Sequence, residues 1–292
     1  MSCAASASDD AILEELVAWA VGDPRLGLLQ FGSRVAARQY RPLYAAFRAA
    51  VPAGARVLDW GAGNGHFSYF LARAGYRATA YAFAPPALLE AAGAQAASGP
   101  EAHGAAALAD GAARGAGLGA GAPVVVAASP AEPVRLPFPD AAFDAACSIG
   151  VLEHVGETGG DERASLAELA RVLAPGGVLF ACHLPNRGSW VEFLARHAPV
   201  SGVHHHPRRF GRGEIRALLA GAGLTPLRME RYALLPRNGW ARVPRLGGSR
   251  FVADLWDGLD RLLTRAAPWL ATNWLVVARK AGAPPPAGAA RP

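Results

Sequence analysis

Between positions 57 and 66 the chain reads Val57-Leu58-Asp59-Trp60-Gly61-Ala62-Gly63-Asn64-Gly65-His66. The pattern predicts a buried strand that ends in a carboxylate, then a turn with glycines at alternate positions, and then a helix. Glycine tolerates positive φ and has no Cβ, so a ligand can approach the backbone of such a turn closely. Open α/β sheets bind ligands at the carboxyl ends of their strands, and the sequence therefore predicts a binding site at this turn.

The chemistry of the turn favours a ligand that carries both charges. Asp59 at the end of the strand suits a cation, and the free N–H groups at the start of the next helix suit a carboxylate. An amino acid zwitterion meets both demands. The G-x-G-x-G spacing also differs from the G-x-G-x-x-G of dinucleotide-binding folds. On these residues alone, an amino acid ligand, a nucleotide and a purely structural turn stay open as interpretations.

Strand-like and helix-like segments alternate along the rest of the chain. Strands are predicted at 56–60, 78–83, 124–127, 143–149, 178–183, 225–235 and 273–279. Helical patterns cover 9–50, 66–74, 162–173, 214–222 and 251–263. Alternation on this scale indicates βαβ units, so we expect an α/β fold with a mainly parallel sheet and helices on both faces.

The predicted domain organisation is one domain over residues 1–280, with N-terminal helices at 9–50 and a core at 52–184 and 211–279. Two segments break the alternation, 185–210 and 236–265, and we expect them to cap the carboxyl edge of the sheet. Residues 98–122 are almost entirely alanine and glycine and are predicted to form a flexible loop. A disordered tail is predicted at 281–292.

Composition narrows the class of protein. The chain has 292 residues, a net charge of +6 and a single lysine, Lys280, so arginine supplies nearly all the positive charge. This arginine content fits either a GC-rich genome or an anionic partner, but without zinc-knuckle spacing or a long basic run no nucleic-acid role is predicted. The three cysteines lie far apart, which predicts reduced thiols and a cytoplasmic location. Neither a signal peptide nor a membrane span is expected.

Two further motifs follow the glycine turn in order. They are Arg135-Leu136-Pro137-Phe138-Pro139-Asp140-Ala141-Ala142-Phe143-Asp144, continuing to Ser148-Ile149-Gly150-Val151-Leu152-Glu153-His154-Val155, and Leu169-Ala170-Arg171-Val172-Leu173-Ala174-Pro175-Gly176-Gly177-Val178-Leu179. Through these three motifs the chain resembles class I S-adenosylmethionine (SAM)-dependent methyltransferases, in particular the broad group that includes the ubiquinone and menaquinone biosynthesis methyltransferases. The resemblance covers residues 52–235 with interruptions, plus the final strand.

This resemblance implies a Rossmann-like sheet of seven strands in the order 3-2-1-4-5-7-6, with the seventh strand antiparallel. It implies SAM as the cofactor and methyl transfer to a small-molecule or lipid-like acceptor, with an O, N or C nucleophile that the sequence does not assign. The residues expected to bind the cofactor are Asp59, Gly61, Ala62, Gly63, Gly65, Phe83, Glu132, Ile149 and Gly150.

Two positions depart from the family pattern. Family members end the second strand with an acidic residue that binds both ribose hydroxyls, and Ala82 stands there in this chain. They place another acidic residue after the third strand, facing the adenine amine, where Glu132 or Ser129 is a candidate substitute here. Loss of a charged bidentate hydrogen bond is expected to cost about 1.5–3 kcal/mol. A non-catalytic binding protein with a weakened SAM site is therefore the alternative hypothesis.

Histidines supply the candidate catalytic groups. His183 ends the fifth predicted strand, where a general base can reach an acceptor hydroxyl, and a hydrogen-bonded structural role is the alternative. His154 follows the fourth strand and is either catalytic or a structural residue at the start of a helix. His204, His205 and His206 indicate a loop over the substrate. No metal site is predicted from them, because consecutive side chains do not converge easily on one ion.

The segment 228–250 carries six arginines and precedes an amphipathic helix. One side of that helix is predicted to carry Phe251, Leu255, Trp256, Leu259, Leu262 and Leu263, and the other side Asp254, Asp257, Asp260 and Arg261. The apolar stripe either packs on its own domain or forms a lid that contacts a lipid-like acceptor or an anionic membrane surface, as a possible peripheral membrane contact.

Overall fold

The fold is described by a computed structural model over residues 6–94, 122–197 and 205–282. The strands are β1 (Arg56–Trp60), β2 (Arg77–Ala82), β3 (Val124–Ala127), β4 (Phe143–Ile149), β5 (Leu173–Pro185), β6 (Leu224–Tyr232) and β7 (Asn273–Lys280). The α-helices are α1 (Asp9–Gly22), α2 (Arg34–Ala37), α3 (Arg41–Ala50), α4 (His66–Arg73), α5 (Ala87–Ala91), α6 (Glu162–Val172), α7 (Trp190–His197), α8 (Arg212–Gly221), α9 (Pro244–Gly247) and α10 (Arg250–Ala266).

The strands form one seven-stranded sheet in the order β3-β2-β1-β4-β5-β7-β6. Neighbours from β3 to β5 run parallel, whereas β7 is antiparallel to both β5 and β6. The predicted fold class and strand order are confirmed. Because β1 and β4 are paired neighbours, Asp59 of β1 stands beside Cys147 of β4, and the turns after both strands emerge at the same edge.

Apolar side chains cover both faces of the sheet. On one face, below α1, α3 and α4, the ring of Tyr44 stacks on Phe70 with centroids 3.8 Å apart, and Phe47 is fully buried beside them. On the other face, α6 and α8 contribute the buried side chains of Leu169 and Leu219. Burial of each such side chain contributes about 1.5–3 kcal/mol, so the two layers hold the sheet, and the turns at its edge, in place.

Several predicted strand boundaries are wrong. β5 begins at Leu173 and not at 178, because Leu173 already pairs with Phe143 before the proline and glycines of its motif. β6 ends at Tyr232 and not at 235, because Ala233 has a φ of 60° and turns the chain away. The predicted loop at 98–122 lies outside the described residues up to position 121, and the predicted tail lies outside them from position 283.

The structure describes two of the three cysteines, and Cys3 lies outside the described residues. Cys147 and Cys182 are both buried and free. Burial raises the pKa of each thiol, so both stay protonated and unreactive at neutral pH. Among the helices of the described residues, none is long and apolar enough to cross a membrane.

Helix α10 turns its charged side towards the protein. Asp257 and Asp260 pair with Arg237, at 2.5 and 3.1 Å, and only 5% of the Arg237 side chain is exposed. Asp254 pairs with Arg38, which follows α2. The aspartates opposite the apolar stripe therefore hold this helix in place, and α10 packs on the N-terminal helices through ion pairs.

The apolar stripe of α10 faces outward as a consequence. The interpretation in which this stripe packs on its own domain is wrong for its outermost members, which are the exposed residues Phe251, Leu255, Leu259 and Leu262. Trp256 is not part of this exposed stripe. Its ring packs edge-on against Trp240, with centroids 5.0 Å apart.

Candidate active site

The glycine turn connects β1 to α4, and its backbone accepts only glycine at two positions. Gly61 and Gly65 have φ values of 74° and 87°. A Cβ on Gly61 would lie 2.6 Å from Cγ2 of Val151, and a Cβ on Gly65 would lie 2.7 Å from Cγ of Leu89. Both contacts are too short for real atoms, so the turn packs directly against the segment after β4 and against α5. The sequence folds in this way because side chains are missing at these two points.

Asp59 lies beneath the turn with 1% of its surface exposed. Its Oδ2 accepts a hydrogen bond of 2.6 Å from Oγ of Ser68 on α4. Burial nevertheless raises the pKa of Asp59 to about 6, because the hydrogen bond only partly replaces the lost hydration of the carboxylate. A positive charge brought to the turn would favour the ionised carboxylate, which is the physical basis for binding an ammonium group here.

A cavity of about 360 Å³ opens above this turn. The residues that line it are Trp60, Gly61, Gly63, Asn64, Tyr81, Ala82, Phe83, Ala84, Pro85, Ala128, Pro133, Gly150, Val151, His154, Val155 and Thr158. The cavity therefore lies at the carboxyl ends of β1, β2 and β4, where an α/β sheet binds its ligand. Its wall includes four of the residues expected to bind the cofactor, namely Gly61, Gly63, Phe83 and Gly150.

The other expected cofactor residues lie outside that wall. Asp59 and Ala62 are buried, and Gly65 is the residue directly before α4. Ile149 is the last residue of β4, directly before Gly150.

The wall beside β2 is aromatic and carries no carboxylate. Tyr81, Ala82 and Phe83 line it, and Ala82 contributes only a methyl group. Glu132, the candidate for the acid that faces the adenine amine, is exposed and lines a separate neighbouring cavity together with Ser129. Pro133 takes its place in the wall of the main cavity.

His183 lies next to Gly150 of the cavity wall in a strained backbone conformation, with a φ of 60°. Its backbone N–H donates to Oη of Tyr232 at 2.8 Å, and its ring lies 5.1 Å from that of Tyr40. A Cβ on Gly150 would be 3.7 Å from Cβ of His183, so the two residues are neighbours. Burial lowers the pKa of His183 to about 4, which keeps the imidazole neutral at physiological pH. Its Nε2 is buried and has no hydrogen-bond partner within the described residues.

His154 lies in the 3₁₀ helix Leu152–Thr158 and lines the cavity. The structure brings His206 next to it, with ring centroids 5.5 Å apart. Glu153 is also close to both histidines and only 5% exposed. Burial raises the pKa of Glu153 to about 7. Sequence reasoning missed Glu153, although it directly precedes His154 in the second motif.

Residues of the N-terminal region pack against His66 and His183, close to the site but outside the cavity wall. The side-chain amide of Gln30 lies 3.2 Å from Nδ1 of His66, at the start of α4. The ring of Tyr40 lies between His66, at 5.2 Å, and His183, at 5.1 Å. Burial lowers the pKa of His66 to about 3, so this cluster is polar but uncharged. No motif in the sequence marks Gln30 or Tyr40, because the helical pattern of 9–50 is that of any packed helix.

Comparison with known protein families matches a family model described as a methyltransferase domain over residues 58–181. That range begins in β1 and ends in β5, so it contains the glycine turn, the cavity wall and the Glu153–His154 pair. A comparison with curated protein sequences gave no significant match.

Several solved structures share this fold at low sequence identity. A SAM-dependent methyltransferase from Methanosarcina mazei is 19% identical, with 81% of this chain and 97% of that chain covered and a TM-score of 0.51. A proposed sarcosine dimethylglycine methyltransferase from Galdieria sulphuraria is 21% identical, with coverages of 85% and 88% and a TM-score of 0.50. The [4+2]-cyclase SpnF is 20% identical, with coverages of 85% and 82% and a TM-score of 0.50. The chain thus carries a methyltransferase-domain match over residues 58–181, within the Rossmann-like fold of class I SAM-dependent methyltransferases.

Proposed function

We propose that this protein transfers a methyl group from SAM to a small-molecule or lipid-like acceptor. The observation that carries the proposal is the cavity of about 360 Å³ between the glycine turn and the end of β4. Gly63 of the turn and His154 both line this cavity. The motifs that follow the turn agree with the ubiquinone and menaquinone group of methyltransferases, and we propose that broad group as the finer assignment, with a cytoplasmic location and no nucleic-acid partner.

The residues of the turn fit the methionine half of SAM. A Cβ on Gly63 would meet only the carbonyl oxygen of Gly61, at 3.9 Å, so the space above this residue is open to a ligand. The buried carboxylate of Asp59 below the turn complements an ammonium group, and the N-terminus of α4 complements a carboxylate. When bound, SAM supplies an electrophilic methyl group on a sulfonium that is already a good leaving group.

The aromatic wall fits the adenosine half of SAM, with one contact missing. Tyr81 and Phe83 offer rings for packing against ribose or adenine. Ala82 offers no acceptor for the ribose hydroxyls, so we expect a dissociation constant in the micromolar range or weaker.

Two histidines are candidates for the acceptor side of the reaction. His183 is neutral at physiological pH because burial lowers its pKa to about 4. The lowered pKa also makes it a weak base, so we propose that its buried Nε2 orients the acceptor and takes up the acceptor's proton only as the methyl group is transferred. His154 lies in the cavity wall, where it can orient the acceptor. Since the methyl donor brings its own leaving group, the main contribution of these residues is orientation.

The alternative is a protein that keeps the fold and binds a ligand without methyl transfer. Ala82 and the outward position of Glu132 favour it. The fold alone does not decide the question, because one solved structure with this architecture is described as a cyclase. The open cradle at Gly63 and the buried Asp59 favour the enzyme.

We also propose a peripheral contact between α10 and an anionic membrane surface. The exposed stripe of Phe251, Leu255, Leu259 and Leu262 follows one side of the helix. Arg261 and Arg265 lie one turn apart at its edge, and neither forms an ion pair within the described part of the chain. An apolar stripe beside unpaired arginines is the pattern of helices that lie in a membrane interface. The segment 185–210, of which residues 198–204 lie outside the described residues, brings His206 beside His154. We propose that this segment covers the acceptor side of the cavity.

Calorimetry with S-adenosylhomocysteine tests the methyltransferase proposal. Gly63→Ala and Gly54→Ala form a matched pair, because both glycines have positive φ and open space around them, while only Gly63 lines the cavity. Each variant should lose about 1 kcal/mol of stability through backbone strain. Only Gly63→Ala should weaken ligand binding, by roughly tenfold or more. If the wild-type protein binds neither S-adenosylhomocysteine nor SAM at millimolar concentration, the proposal is wrong.

A further inference from the structure

A cluster of two histidines and a carboxylate lies at the edge of the proposed SAM cavity. Glu153, His154 and His206 each bring one potential ligand atom within 4.8 Å of the others. Glu153 and His154 come from the turn after β4, and His206 comes from the segment before α8, so the fold joins residues that are far apart in sequence. We propose that these three side chains bind a divalent ion of a first-row transition metal.

Both imidazoles are oriented by carboxylates. Nδ1 of His154 lies 3.0 Å from Oε1 of Glu157, and Nδ1 of His206 lies 2.8 Å from Oε1 of Glu192. Glu192 is buried and also accepts the backbone N–H of His206, at 2.8 Å. Carboxylates that hold one ring nitrogen of a histidine are typical partners of metal-binding histidines, because they fix the tautomer and the ring orientation. The nitrogen that would bind the ion is then Nε2 in each ring.

The burial of Glu153 gives an independent indication that a cation binds at this cluster. The residue is 5% exposed, and its Oε2 is buried without a hydrogen-bond partner within the described residues. A buried carboxylate oxygen without a partner is unfavourable by several kcal/mol unless a cation or a donor compensates it. A carboxylate oxygen of Glu153 lies within 4.8 Å of a ring nitrogen of each histidine, so an ion bound among the three residues would supply that compensation.

The donor set indicates the class of metal. Two imidazoles and one carboxylate suit Zn²⁺, Fe²⁺, Co²⁺ or Mn²⁺, whereas Mg²⁺ and Ca²⁺ prefer oxygen ligands alone. Three protein ligands leave positions for an exogenous oxygen or nitrogen. Because His154 also lines the cavity, those positions are accessible from the acceptor side. A role of the ion in holding the acceptor rests on the proposed function, but binding of the ion itself does not.

Metal binding can be measured directly on the full chain after treatment with a chelator. We expect one Co²⁺ per chain, detected by its visible absorption, and competition by Zn²⁺ in calorimetry. His206→Asn and Glu153→Gln should each weaken binding by roughly 100-fold or more, since each removes a ligand. His205→Asn is the matched control, because His205 is the exposed neighbour of His206. It should bind Co²⁺ like the wild-type protein.

A second variant keeps the test valid if loss of Glu153 prevents folding. Glu157 is 57% exposed in its side chain, so Glu157→Gln should fold normally. It should weaken Co²⁺ binding by roughly tenfold, because a neutral amide holds and polarises the His154 ring less strongly than a carboxylate does. The proposal is overturned if the folded wild-type protein binds neither ion, or if His205→Asn reduces binding as much as His206→Asn does.

Binding of S-adenosylhomocysteine, measured on the same samples, separates this proposal from the methyltransferase assignment. Co²⁺ binding that depends on Glu153 and His206 supports the metal site even if S-adenosylhomocysteine does not bind. Absence of Co²⁺ and Zn²⁺ binding contradicts the metal site even if S-adenosylhomocysteine does bind.

Discussion

Oγ of Ser68 donates a hydrogen bond of 2.6 Å to Oδ2 of Asp59, and this bond ties the end of β1 to α4 directly beneath the glycine turn. It does not fully compensate the burial of the carboxylate, since the pKa of Asp59 is raised from 3.8 to about 6. The apo protein therefore holds an unfavourable negative charge at neutral pH, at the position where the ammonium group of SAM is expected.

We predict that Asp59→Asn stabilises the apo protein at neutral pH while weakening its ligand binding. The folded state retains the Asp59 proton up to about pH 6, whereas the unfolded state loses it near 3.8, so the wild-type unfolding free energy falls as pH rises through this interval. The variant has no carboxyl group at this position, so its free energy of unfolding does not fall in this way. The difference in free energy of unfolding between the variant and the wild type should therefore grow by about 1–3 kcal/mol between pH 4 and pH 7, as measured by urea unfolding. Its affinity for S-adenosylhomocysteine should fall by roughly tenfold.

Asp144→Asn is a control with the opposite sign. Arg56 holds the pKa of Asp144 below its ordinary value, so this carboxylate stabilises the folded state above its unfolded pKa and loses that effect as pH falls. Asp144→Asn should therefore lower the free energy of unfolding most at neutral pH. Parallel pH dependences for the two variants would contradict the assignment of the Asp59 shift to burial.

We predict that Ala82→Asp tightens binding of S-adenosylhomocysteine by roughly tenfold, because a carboxylate at this position can accept from both ribose hydroxyls. Ala82 lines the cavity and is 7% exposed. Ala84→Asp adds the same charge at an exposed position of the cavity and should give no such gain. Unchanged or weaker affinity in a folded Ala82→Asp protein, measured by calorimetry, would show that other groups contact the ribose.

Arg237→Met should destabilise the protein by about 3–5 kcal/mol, because it leaves Asp257 and Asp260 without their buried partner. Arg261→Met is the control, since Arg261 is an exposed residue of the same helix. Urea unfolding at pH 7 compares the two variants. A similar small effect for both would mean that α10 is not anchored by its charged side.

The double variant with Leu255→Ser and Leu259→Ser should lose binding to anionic vesicles without a loss of stability, because both side chains are exposed. Wild-type protein is expected to sediment with vesicles of phosphatidylglycerol at low salt and not with those of phosphatidylcholine. Leu227→Ser removes an equally exposed leucine from β6 and should bind like the wild type. Equal sedimentation of the double variant and the wild type would exclude the α10 stripe as the contact.

His183 should remain neutral from pH 8 down to about pH 5 in NMR titration of its imidazole, because burial lowers its pKa to about 4. The His183→Asn variant identifies the signal. A midpoint near the ordinary value of 6.5 would contradict the buried environment and would remove the argument for a base that is always neutral in the physiological range.

The sheet could be predicted from the sequence because its strands are short apolar runs bounded by glycine and proline. β3 and β4 begin and end where the pattern predicts, at Val124–Ala127 and Phe143–Ile149. The orientation of α10 could not be predicted from the sequence, because an amphipathic pattern does not tell which side of a helix packs against the protein. Here buried Arg237 decides it, and no local feature distinguishes this arginine from its exposed neighbours.

The candidate site was predicted only where it is local in sequence. The glycine turn and Gly150 belong to continuous motifs, and three of their residues, Gly61, Gly63 and Gly150, line one cavity. The approach of His206 to His154 depends on how the segment before α8 folds back, and the contribution of Tyr40 depends on tertiary packing. Neither relationship has a fixed spacing that a sequence pattern could contain.

The position of β7 has a consequence for synthesis of the protein. This strand follows every other strand in the chain, yet it lies between β5 and β6. While the ribosome is still making residues 273–280, β6 has no partner, and the edge of β5 that will face β7 is bare. The sheet can close only after these residues leave the exit tunnel, so a nascent chain is most exposed to aggregation just before residues 273–280 emerge.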